Sequence, residues 1–179
     1  MVQLVNKKLA ILATDGFEQI ELISPRTAVE DAGGATFIIS PEAGTIQGNK
    51  HREHGDNFTV DVILSEANST HYDALLIPGG LFNPDALRVN AEVLQFVTSF
   101  FDQKKPVFSI CHGPQVLISA DLVRGRKMTA FSAIQKDLEN AGAVVRDEPV
   151  VVDAGLITSR NPDDLDVFNE KILEALSNT

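Results

Sequence analysis

Short runs of consecutive apolar residues alternate along this chain with longer segments whose apolar positions recur every three to four residues. Lys8–Ala13 reads as a buried strand that ends at the polar turn Thr14–Asp15–Gly16. Glu18 to Ala32 reads as a helix, with Pro25 perturbing its second turn and Gly33–Gly34 stopping it. Thr36–Ser40 is a second strand. Between 44 and 64, glycines punctuate and FTVDVIL alternates with period two, which predicts hairpin or edge structure. Ala74–Ile77 is a third strand, halted by Pro78–Gly79–Gly80. Val93, Leu94, Val97, Phe100 and Phe101 place one apolar face on a helix over Ala91–Gln103. Pro106–Ile110 is a fourth strand, and helices are predicted over Gln115–Leu122 and Ile134–Ala141. Val150–Asp153 and Leu156–Thr158 suggest a strand pair turning near Gly155, and Pro162–Leu176 closes the chain as a helix.

Strands without a polar face, alternating with helices, predict a mostly parallel sheet covered on both faces. Ligands of such sheets bind beyond the carboxyl ends of the strands. Three segments fall there: Asp15–Glu18, Pro78–Gly80 and Cys111–His112.

Length and composition narrow the function classes. The 179 residues suit one domain spanning the chain, with 44% apolar and 22% charged residues. No apolar run reaches the roughly 20 residues of a membrane span. MVQLVNKKLAIL reads as a first strand, not a signal peptide, for want of a small-residue cleavage site. A net charge of −10 argues against nucleic acid and anionic lipid as partners. A single cysteine excludes an internal disulfide and points to the reducing cytoplasm.

That cysteine is where chemistry is expected. VFSICHGPQVLISA puts Cys111 between a buried strand and a helix start, the geometry of a nucleophile elbow, although only Gly113 of the flanking glycines is present. A helix N-terminus favours thiolate, the nucleophilic form. Free cysteines are also often inert core residues, and His112 fits a helix cap without any role. Glu18 could donate a hydrogen bond to sulfur if burial kept it protonated; Glu18 and Glu21 equally fit as first-turn acids complementing the helix dipole. Gly79 and Gly80 could turn an N–H toward an oxyanion or simply make a turn. HREHGD, with His51, His54 and Asp56, reads as a polar hairpin tip. No nucleotide fingerprint occurs, and neither metal nor cofactor is expected.

With those segments read, the chain resembles the ThiJ/PfpI superfamily, in its PfpI-like branch of intracellular proteases and general stress proteins. The landmarks are ATDGFEQIELISPR, LLIPGG, NPDALR, ICHGPQVLISADLVRGRKMT, NAGA and VVVDAGLITSRNPDDL, across about residues 7 to 176. The resemblance implies a flavodoxin-like three-layer sandwich, a nucleophilic Cys111, Glu18 hydrogen-bonded to its sulfur and His112 as base. It also implies a homo-oligomer in which the acid matching Asp85 orients His112 across the interface, where some relatives carry the longer Glu. Phe131 replaces a tyrosine that several relatives place near the pocket. Three functions follow: a stress-related cysteine hydrolase acting on peptides, a glyoxalase or deglycase acting on methylglyoxal or its adducts, and a redox-sensing stress protein oxidised at Cys111. The partner expected is thus a small carbonyl compound or a peptide.

Overall fold

The alternation of apolar strand and amphipathic helix folds as a layered α/β structure, seen in a computed structural model that describes residues 2–179. Strand β1 (Lys8–Leu12) leads through the two-residue β2 (Phe17–Glu18) into α1 (Gln19–Asp31), then β3 (Ala35–Ser40). An antiparallel hairpin follows, β4 (Thr45–Lys50) and β5 (Glu53–Thr59), with β6 (Val62–Ile63) after it. Strand β7 (Ala74–Ile77) precedes α2 (Phe82–Leu87) and α3 (Ala91–Asp102), and β8 (Val107–Ile110) precedes α4 (Pro114–Ser119). The chain closes with β9 (Lys127–Met128), α5 (Ser132–Asn140), β10 (Val144–Val145), β11 (Val150–Asp153), β12 (Leu156–Ser159) and α6 (Leu165–Ser177).

Seven strands form the central sheet in the order β11-β12-β8-β7-β1-β3-β6, parallel except where β11 pairs β12. Alternate residues of β1 feed opposite cores. Leu9 and Ile11 join Leu22, Val29, Phe168 and Ile172 under α1 and α6. Ala10 and Leu12 join Val97, Phe100, Leu117 and Leu138 under α3, α4 and α5. Both sheet faces are therefore dry, which is why β1, β7 and β8 carry no polar-alternating pattern. Each fully buried leucine or phenylalanine contributes roughly 1.5–3 kcal/mol by leaving water. The predicted mostly parallel sheet with helices on both faces is the observed architecture.

Several local expectations shift. Helix α1 runs unbroken through Pro25, which lies on its buried side. The helix after Cys111 is only six residues long, shorter than expected, because Ala120 and Asp121 already turn out of it. Helix α2 and the short strands β9 and β10 are too brief to carry a periodicity. The chain crosses from one side of β1 to the other between β3 and β7. Since β1, β7 and β8 are neighbours, their carboxyl ends open onto one crevice.

Candidate active site

Cys111 sits at the tip of the β8-to-α4 turn with φ +60°, a left-handed conformation that costs a non-glycine residue roughly 1–2 kcal/mol. The surrounding backbone holds it there: Cys111 N donates to Ser159 O at 3.1 Å, and Phe131 N donates to Cys111 O at 2.9 Å. The turn aims the residue into a cavity. Cys111 is 8% exposed, and the cavity above it has a volume of about 630 Å³. Glu18, Glu21, His51, Arg52, Phe82 and Phe131 are among the residues lining it.

The carboxyl beside the sulfur is Glu21, and this corrects the expectation for Glu18. Both residues line the cavity, but Glu18 is turned toward the hairpin, where it accepts the His51 N–H at 3.1 Å. Glu21 is fully buried; its Oε2 accepts the Gly79 N–H at 2.8 Å, and its interaction with Cys111 shifts the titration of both groups. Glu21 Oε1 is buried without an aligned hydrogen-bond partner. The physical reason is helical phase. Glu21 stands at the spacing of Pro25 and Val29, residues of the inward face of α1, whereas Glu18 precedes the helix in β2. An acid in register with a buried stripe was the available signal.

Burial pushes Glu21 up to about 8, against the pull of the Gly79 N–H. Burial and a negative charge on Glu21 push the Cys111 thiol up, while the backbone N–H groups of His112 and Gly80 at the sulfur pull it down. Thiol and carboxyl thus compete for a single negative charge. Burial also holds His112 below its ordinary value, so the ring is neutral near pH 7. His112 Nδ1 lies 3.3 Å from the Cys111 sulfur, and its ring stacks on Phe131 at 4.9 Å between centroids. A neutral imidazole at that distance can accept a thiol proton.

The two glycines divide their work. Gly79 N–H is committed to Glu21, so it is not free for an oxyanion, contrary to the expectation for it. A Cβ at Gly79 would stand 2.8 Å from both Cys111 Cβ and Glu21 Oε2, so only glycine lets the three meet. Gly80 has φ +87° and turns its N–H to the sulfur. Asn83, which the sequence reading did not single out, ties the two turns together. Its Oδ1 accepts Thr14 N–H at 2.8 Å, and its Nδ2 donates to Pro78 O at 2.9 Å.

Asp85 lies exposed in the first turn of α2 and makes no side-chain hydrogen bond among the described residues. Among the described residues no carboxylate holds the second nitrogen of His112. The hairpin reading of HREHGD is observed, and Gln19 clamps it: Gln19 Nε2 donates to Asp56 Oδ2 at 2.6 Å, and Asp56 N donates to Gln19 Oε1 at 2.8 Å. The clamp fixes the hairpin beside the cavity, bringing in His51, which the sequence placed only in a polar hairpin tip, and Arg52, which sequence reasoning did not single out.

Comparison with known proteins agrees with this geometry. The YraA protein of Bacillus subtilis (strain 168), named "Putative cysteine protease YraA", is 47% identical over 172 residues, covering 96% of this chain and 99% of the relative. A protein of Staphylococcus aureus (strain Mu50) is 48% identical over 96% of this chain and 99% of its own. Among solved structures, a two-domain protein of Anabaena variabilis with DJ-1/ThiJ/PfpI-like and ferritin-like domains superposes with a TM-score of 0.90 at 41% identity. That match covers 96% of this chain and 48% of the larger one. Drosophila melanogaster DJ-1beta shares the fold, with a TM-score of 0.89 at 24% identity over 98% of this chain and 92% of its own. The DJ-1/PfpI family profile matches residues 7–175, and with cysteine elbow, PGG turn and three-layer sheet all in place, the chain belongs to the DJ-1/PfpI family.

Proposed function

We propose that this protein is a cysteine-dependent hydrolase that attacks carbonyl carbon with Cys111. The observation that carries the reading is the strained elbow that aims the sulfur into the cavity, 3.3 Å from a neutral His112. In the proposed step the thiolate sulfur bonds to the carbonyl carbon and the C=O pair moves onto oxygen. The N–H of Gly80 then faces the oxyanion. His112 protonates the leaving amine, the C–N bond breaks, and a thioester remains. Water, deprotonated by His112, returns Cys111. The name of YraA supports the peptidase form of this chemistry.

A second reading has its own support. Among the described residues no side chain hydrogen-bonds the far nitrogen of His112, whereas Glu21 is a buried acid next to the sulfur. That pairing suits a small 2-oxoaldehyde or its adduct. The sulfur adds to the aldehyde carbon of methylglyoxal as a hemithioacetal. The proton on that carbon then passes to a base, and one is returned to the neighbouring carbon. The resulting lactoyl thioester is hydrolysed to lactate. Side-by-side assays on methylglyoxal and a fluorogenic peptide decide between the forms. Turnover of either supports the proposal; turnover of neither, in reduced protein, refutes it and leaves oxidation of Cys111 as the function.

The peptidase form requires a second copy to supply Asp85. Leu81, Phe82 and Val89 are 64%, 66% and 81% exposed around α2, an apolar surface beside Asp85 that a second copy would cover. Light scattering is expected to give a dimer or larger assembly, with Asp85→Asn lowering peptide turnover about tenfold or more. A monomer that retains peptide turnover would remove Asp85 from the mechanism. No helix among the described residues is long and apolar enough to cross a membrane, and the proposed setting is the cytoplasm.

A further inference from the structure

We infer that Arg52 is a specificity residue that selects carbonyl substrates bearing an anionic oxygen group, a carboxylate or a phosphate. This rests on the cavity being the catalytic site. Arg52 stands at the tip of the β4–β5 hairpin and lines the same cavity as Cys111, Glu21 and His112. Among the described residues it takes part in no ion pair and no side-chain hydrogen bond. Its neighbour Lys50 is by contrast committed to Asp56 at 3.2 Å. In a chain of net charge −10, this uncommitted guanidinium is, among the described residues, the only lysine or arginine that lines the cavity. Its planar fork matches the two oxygens of a carboxylate or phosphate.

The charges around it set the orientation. Glu18 lines the cavity as well, with its carboxyl held on the His51 N–H, and Glu21 lies deep beside the sulfur. An anionic group is repelled by the Glu18 carboxylate and by the negative charge of the Cys111–Glu21 pair, and driven toward the hairpin tip. A substrate anchored there by its charged end presents its uncharged carbonyl to the sulfur. The Gln19–Asp56 clamp fixes the hairpin to the start of α1, so Arg52 is carried by a secured element.

Two electrophiles of nearly equal size test this. Iodoacetate and iodoacetamide both lose iodide to the thiolate and differ in one charge. The iodoacetate rate at Cys111, relative to the iodoacetamide rate on the same protein, should fall from its wild-type value about three- to fivefold in Arg52→Ala and further in Arg52→Glu. A ratio indifferent to Arg52 overturns the inference. A readout independent of thiol chemistry uses Cys111→Ser protein and ligand-observed NMR with pyruvate, dihydroxyacetone phosphate and neutral methylglyoxal. Arg52-dependent binding of pyruvate assigns a carboxylate, of dihydroxyacetone phosphate a phosphate; binding of neither above methylglyoxal overturns it. Failure of both alkylating reagents at Cys111 refutes the proposed function alone, because the NMR measurement still decides the role of Arg52.

Discussion

Cys111→Ser is expected to abolish turnover and alkylation, by at least about a thousandfold, while the far-ultraviolet spectrum and unfolding midpoint stay near wild type. Serine is close in size to cysteine, so neither the left-handed turn nor its bonds to Ser159 and Phe131 are disturbed. The chemistry is another matter. A hydroxyl is far less acidic than a thiol, and the site is built around an anion at that atom: two backbone N–H groups, a neutral imidazole and a buried acid. Iodoacetamide mass spectrometry on wild type and variant checks the result directly, since Cys111 is the sole cysteine. A serine variant with appreciable turnover would remove the nucleophile from every form of the proposal.

The second large effect concerns stability against pH. Burial raises Glu21 to about 8 in the folded protein, where the proton lost belongs to the Glu21–Cys111 pair, against the ordinary 4.5 of the unfolded chain. Between those values the folded state keeps a proton that the unfolded chain has released, so folding stability falls as pH rises through the interval. The loss runs at up to about 1.4 kcal/mol per pH unit and ends where the folded Glu21–Cys111 pair gives up its first proton. Glu21→Gln cannot titrate and should lose that slope, while its amide oxygen still accepts the Gly79 N–H. His112, held low by burial, adds a slope of opposite sign at the acid end, but it does so in both proteins and cancels in the difference. Unfolding free energies from urea titrations at pH 5 and pH 8 should therefore show the variant gaining on wild type by several kcal/mol. Parallel pH dependence in the two proteins would place Glu21 in water.

How much of this was legible depends on the range of the interaction that fixes each part. The sheet and the elbow were readable because LAIL, ALLI and VFSI are local runs and Cys111 directly follows one of them. Glu21 was masked by Glu18: both fit the first turn of a helix, and only the residue at which α1 begins decides which faces inward. The division of labour between Gly79 and Gly80 depends on Gly79 meeting Glu21 across 58 positions. Arg52 was hidden for the same reason. Its hairpin reaches the cavity because β4 pairs with β2 and Gln19 grips Asp56, pairings that no local pattern announces. Helix α2 is six residues long, too short to register as a period.

The central claim is that, once the coupled pair has lost its first proton, the negative charge rests on sulfur and the remaining proton on Glu21, against the burial that pushes the thiol up. Sulfur receives the N–H groups of His112 and Gly80, the carboxyl receives the Gly79 N–H, and the hydrogen bond between thiol and carboxyl is shared by the two. Iodoacetamide alkylation of Cys111 from pH 5 to 9, in wild type and Glu21→Gln, reads the location of that charge. With the charge on sulfur, the wild-type rate is half-maximal below the ordinary thiol value of about 8.5. The glutamine variant, a weaker donor, then moves the midpoint upward. A midpoint that moves downward on losing Glu21 would mean that the carboxylate, and not the sulfur, held the charge.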